Sequence, residues 1–150
     1  MHIFTQCLIR VICSRIYVLA FVLGMANGAN AEVVVVVSSQ SPVQSLSLAE
    51  VAQIFLGQLL RFPTDGQAVP IDQDEGIDIR DEFYKKVTGK DASQLKAYWA
   101  KITFAGYGRP PRAVANSDQV KKLINEKPNH IGYINKDAVD KSVRVVFASS

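Results

Sequence analysis

The chain has 150 residues, 48% of them hydrophobic and 21% charged, with a formal net charge of +3. That length allows one domain with a core of ordinary size, and the composition is not that of a disordered or fibrous chain. Two cysteines are too few for a disulfide framework, and the positive charge is too small and too scattered for a nucleic-acid-binding face.

Residues 1–31 read as a secretory signal peptide. Arg10 and Arg15 give a positive start with no acidic residue, Ile16 to Leu23 is apolar, and Ala29-x-Ala31 has small residues where signal peptidase cuts. The uncharged stretch from Ile16 to Ala31 falls short of the roughly 20 apolar residues of a spanning helix. Cleavage leaves a domain at 32–150 and brings the net charge close to neutral. Cys7 and Cys13 leave with the leader, so the mature chain has no thiol for a disulfide or a metal. The expected location is the periplasm.

Val33 to Val37 is a run of five valines followed by Ser38, Ser39, Gln40 and Ser41. A short apolar run without alternation reads as a strand covered on both faces, as in parallel sheets flanked by helices. Ligands of open α/β sheets collect at the carboxyl ends of the strands, which nominates Ser38 and Ser39.

Ser47-x-x-Glu50 forms a capping box, and Leu48, Val51, Ala52, Phe55 and Leu56 follow helical spacing up to Gly57. Leu59 to Phe62 and Ala68 to Ile71 are expected as extended arms around the Pro63-Thr64-Asp65-Gly66 turn. Pro70 belongs at a strand start or an edge. Asp72 to Gly76 reads as an acidic loop before a helix over 78–87 with Ile79, Phe83 and Val87 on one face. Asp91-x-x-Gln94 opens the next helix, whose Leu95, Tyr98, Trp99 and Ile102 are core candidates. Gly106 to Pro111 is a loop, Arg112 to Ala115 a short strand, and Asn116-x-x-Gln119 caps a helix that ends before Pro128. Strands at Ile131 to Ile134 and Val143 to Phe147 close the chain. This alternation predicts one α/β domain, with a mixed, mostly parallel sheet and helices on both faces.

The residues give no support for catalysis. His130 is the one histidine of the mature chain and sits in a turn. No nucleophile–base arrangement, metal-ligand spacing or glycine-rich phosphate loop is present, so no catalytic residue, metal or cofactor is expected. The acidic group Asp72, Asp74, Glu75, Asp78, Asp81 and Glu82 reads as a solvated loop and the negative first turn of a helix.

The valine run, Ser41-Pro42-Val43, Leu46-Ser47-Leu48-x-x-Val51-x-x-Ile54-Phe55-x-Gly57, then Phe83, Tyr98-Trp99 and His130-Ile131-Gly132-Tyr133-Ile134 resemble, in order, the substrate-binding protein of phosphate ABC transporters. The resemblance covers essentially all of 32–150 and implies one lobe of a type II periplasmic-binding-protein-like fold. It implies a small anion such as phosphate as ligand and ABC transporter membrane components as partners. It also implies two departures. The family's second lobe is expected to be missing. The family's Arg-x-x-x-Ser-Gly-Thr motif is replaced by Gln73 at the arginine position and by Ile77, Asp78 and Ile79. A phosphate about 4 Å from the Asp78 carboxylate would feel roughly 4 kcal/mol of repulsion per unit charge at an effective dielectric near 20.

Two readings follow. One is a solute-binding-type lobe with an eroded phosphate motif, using Ser38, Ser39, Gln73 and the amides of Gly76, Ile77, Asp78 and Ile79. The other is a lobe that binds no solute and docks a periplasmic partner protein or a second copy. In the second, Ile77 and Ile79 either face water, which suits a partner surface, or turn inward.

Overall fold

A computed structural model describes residues 32–64 and 66–149. The leader reading of 1–31 lies outside the described residues. Strand β1 (Val33–Ser38) is followed by helix α1 (Leu48–Phe55), strand β2 (Val69–Gln73), and helices α2 (Asp78–Thr88) and α3 (Ala92–Phe104). Strand β3 (Arg112–Val114), helix α4 (Ser117–Glu126), strand β4 (His130–Asn135), a 3-10 turn (Lys136–Ala138) and strand β5 (Val143–Ala148) complete the order.

The five strands form one sheet in the order β3-β2-β4-β1-β5. β2 runs parallel to β3 and β4, whereas β1 runs antiparallel to both of its neighbours, β4 and β5. Four strands therefore share a direction and the valine strand alone opposes them. The sheet is mixed and mostly parallel in that sense.

All six residues of β1 are buried, and the reason is two cores. Val33, Val35 and Val37 join the α1, α2 and α3 side with Phe55, Phe83, Leu95 and Trp99. Val34 and Val36 join the α4 side with Val120, Leu123 and Ile124. A central strand between helical layers has no wet face, so it cannot alternate. The close seating of α4 depends on Gly132 in β4, where an added Cβ would lie 2.5 Å from Val120 Cγ1.

The helix starts follow the local chemistry. Ser47 accepts from the Glu50 amide while the Glu50 carboxylate accepts from the Ser47 amide, and Asp91 with Gln94 repeats the device. Asn116 accepts from the Gln119 amide at 3.0 Å. Pro70 sits second in an interior strand without breaking a ladder, because pairing to β3 begins only at Ile71 with Arg112. The acidic loop starts later than the sequence indicates. Asp72 and Gln73 are the last residues of β2, buried at 2% and 1% exposure, and the loop begins at Asp74.

Candidate functional site at the carboxyl ends of the parallel strands

The antiparallel direction of β1 decides which residues meet. Val37 pairs with Ile131, which on its other side pairs with Pro70. Ser38 therefore lies level with the start of β2, whereas Gln73 lies at its end. The two are separated by about 13 Å along the strands and about 10 Å across them. Ser38 and Ser39 are thus at the opposite edge of the sheet from Gln73, Gly76, Ile77, Asp78 and Ile79, and the two groups do not form one site. Each serine has a local role. The Ser38 hydroxyl accepts from the Gln40 amide, and the Ser39 carbonyl accepts from Arg144.

At the other edge the structure brings together residues from β2, α2 and β4. The Asp72 carboxylate is held by four groups. Its Oδ1 accepts from the Gln73 amide at 2.8 Å and from the Tyr133 hydroxyl at 2.5 Å. Its Oδ2 accepts from the Tyr84 hydroxyl at 3.1 Å and from Arg80 Nε at 3.2 Å. Charge-assisted bonds of this kind are about twice as strong as neutral ones. The Gln73 amide also reaches the Tyr133 hydroxyl, and Gln73 Nε2 donates to the Tyr133 carbonyl at 3.0 Å. Gln73 is thus turned into the protein and away from any solute.

Aromatic packing fixes these donors. Tyr133 stacks on Phe83 with ring centroids 4.0 Å apart, Phe55 meets Phe83 edge-on, and Arg80 lies over the Tyr84 ring. Burial, and then the Asp72 charge, push both tyrosine hydroxyls far above their usual range, so they stay protonated as donors. Burial works against the Arg80 charge, but the Asp72 carboxylate outweighs it and raises the guanidinium further.

α2 begins one turn from this network. Ile77 is its N-cap and offers no side-chain hydrogen bond, while Asp78 and Asp81 place negative charge on the first turn. Ile79 is buried and turns inward, whereas Ile77 packs against the core while staying only partly buried, so part of it remains at the surface. Gly76 has φ +84° and ends the exposed turn that leads into the helix. Asn135, at the end of β4 on the same edge, has a buried Oδ1 without a hydrogen-bond partner. No group of three or more metal-type side chains gathers among the described residues.

Reasoning from sequence missed Asp72, Arg80, Tyr84 and Tyr133 as a unit. One signal was available. Tyr133 has an isoleucine two positions before it and another immediately after it in a short strand, so its hydroxyl needs a buried partner.

The fold matches part of several solved proteins of phosphate transport. Among solved structures, a putative phosphate ABC transporter substrate-binding protein with bound phosphate from Clostridium perfringens matches with a TM-score of 0.61 and 24% identity. The match covers 77% of this chain and 44% of that one. An ABC-type phosphate transport receptor from Vibrio cholerae matches with a TM-score of 0.61 at 18% identity, over 77% and 45%. PstS from Borrelia burgdorferi matches with a TM-score of 0.58 at 13% identity, over 77% and 46%. These likenesses show the fold, and the chain spans less than half the length of each matched protein. No family model and no curated protein matches the sequence.

Proposed function

We propose that the chain is an exported, non-catalytic lobe of the solute-receptor kind, resident in the periplasm, whose oxyanion grip has been turned on a carboxylate of its own. The observation that carries this reading is the Asp72 network. A guanidinium, two hydroxyls and a backbone amide converge at the strand edge where such folds take ligands, and they converge on Asp72. The phosphate motif is accordingly eroded. What remains for a small anion is the set of amides from Gly76 to Ile79, opposed by Asp78. The partners that kinship offers are the membrane components of a phosphate-type ABC transporter.

Calorimetry with phosphate, sulfate and small organic acids tests the reading. The expected result is no stoichiometric capture of phosphate below millimolar concentration. Tight one-to-one binding of phosphate by the monomer would overturn it.

A second reading, an interaction lobe that binds no solute, is favoured by a different observation. Phe104, the last residue of α3, and Tyr107, on the loop that follows, are 96% and 84% exposed. Two bare aromatic rings so close together in the chain are unusual for a surface without a partner. Silence across the whole solute panel is the result this reading expects.

A further inference from the structure

The loop after α3 borders a cavity of about 210 Å³ at the start of β2, lined by Gly57, Leu60, Pro70, Trp99, Arg109 and Arg112 among others. Leu60 is 65% exposed at its mouth. From Ala92 to Ser117 the sequence has no acidic residue but has Lys96, Lys101, Arg109 and Arg112. Arg109 and Arg112 make no ion pair with any described residue. This surface is an apolar hollow with Trp99 in its lining and a cationic rim, the anatomy of a docking anchor site. It requires an apolar side chain set among carboxylates.

The chain carries such a segment. Asp74, Glu75 and Asp78 are exposed around the half-buried Ile77, on the turn that follows β2. They too make no ion pair with any described residue. The turn follows the end of β2 and the hollow lies at its beginning, so the two cannot meet within one molecule.

We propose that the Arg109–Arg112 hollow docks the Asp74–Asp78 turn of a second copy. The contact joins two different surfaces, so it repeats head to tail and generates a ring or an open chain instead of a closed twofold dimer. The carboxylates lie against the two guanidinium groups and Ile77 meets the apolar floor. The interface covers the amides of Gly76 to Ile79, so the proposal rests on the second reading above, with another copy as the partner.

Light scattering and sedimentation of the full chain, over a concentration series at low and high salt, test it. The expected result is association that extends beyond a dimer and weakens as salt rises. Arg109→Gln with Arg112→Gln, and separately Asp74→Asn with Glu75→Gln, each lower the association constant by about tenfold or more. Each double variant keeps one intact surface, so an equimolar mixture of the two forms a dimer and nothing larger. Circular dichroism identical to the unmodified chain establishes that both variants are folded.

A monomer at every concentration overturns the proposal. So does association that is indifferent to salt and to both pairs of substitutions. Binding of an acidic peptide or of anionic vesicles to a chain that stays monomeric also overturns it, since the hollow then serves another occupant. These failures leave the second reading itself to be judged by the solute panel, which is a separate measurement.

Discussion

Asp72 is where the chemistry of the lobe concentrates, and its partners show why it is buried as an ion. A buried pair contributes little against a well-packed apolar substitute, but breaking it by removing one partner costs about 3–5 kcal/mol. Asp72→Ala should therefore lose stability of that order in urea unfolding. Adding Arg80→Met to it should recover part of the loss, because no uncompensated charge remains while the buried Tyr84 and Tyr133 hydroxyls still lack their acceptor. Asp72→Gly leaves the donors of Arg80, Tyr84, Tyr133 and the residue 73 amide facing a gap of carboxylate size. Formate is expected to raise the melting temperature of that variant and to leave the unmodified chain unchanged. This network was hidden in the sequence for a simple reason. The side-chain donors come from residues 8, 12 and 61 positions away, so nothing near Asp72 marks it off from its solvated acidic neighbours. A second carboxylate acts by local bonding alone. The Ser142 hydroxyl and amide, with help from Lys121, hold the Asp140 pKa down to about 2. A depressed carboxylate contributes stability above its usual value of 3.8 and loses it as the pH falls toward 2. Asp140→Asn should flatten the acid limb of a melting-temperature profile in that window.

Among the elements, what sequence conveys is what local chemistry decides. The caps at Ser47, Asp91 and Asn116 stand where the hydroxyl, carboxylate and amide side chains indicate, and the helix bounds agree within a residue or two. The burial of the valine run was equally readable, because five successive apolar residues leave no wet face. Its direction was not. A fully buried strand looks the same whether its neighbours run with it or against it, and only pairing with β4 and β5 settles that. On this point alone, Ser38 and Ser39 fall at the edge opposite Gln73 instead of beside it. Packing of α4 on the sheet gives a further test. Gly132→Ala places a methyl within 2.5 Å of Val120 Cγ1, and overpacking of this kind costs about 1–3 kcal/mol. Val120→Ala in the same chain should relieve much of that cost, and chemical denaturation of the single and double variants reads the coupling.

At the scale of the molecule, charge is sorted along β2. The strand ends in an acidic turn and begins beside a cationic, aromatic hollow. If the two surfaces engage between copies, conditions that favour a free solute at the α2 edge and conditions that favour assembly exclude one another. Because phosphate is expected to find no grip at that edge, adding it to an assembled sample acts only as a salt, with chloride at equal ionic strength acting the same way. Matched light-scattering titrations with the two salts check this.

The placement of β1 has one more effect, on how the chain comes to be made. The first of the described strands acquires both of its hydrogen-bonding neighbours only from residues 130–148, about a hundred residues further along the polypeptide. Until those residues arrive, five valines wait with two open edges, in the kind of segment that readily seeks strands from other molecules. Such long-range pairing also slows folding. During synthesis this segment thus stays open to other molecules until residues 130–148 arrive, and any nonsense change before Val143 would release a product with that hazard permanently exposed.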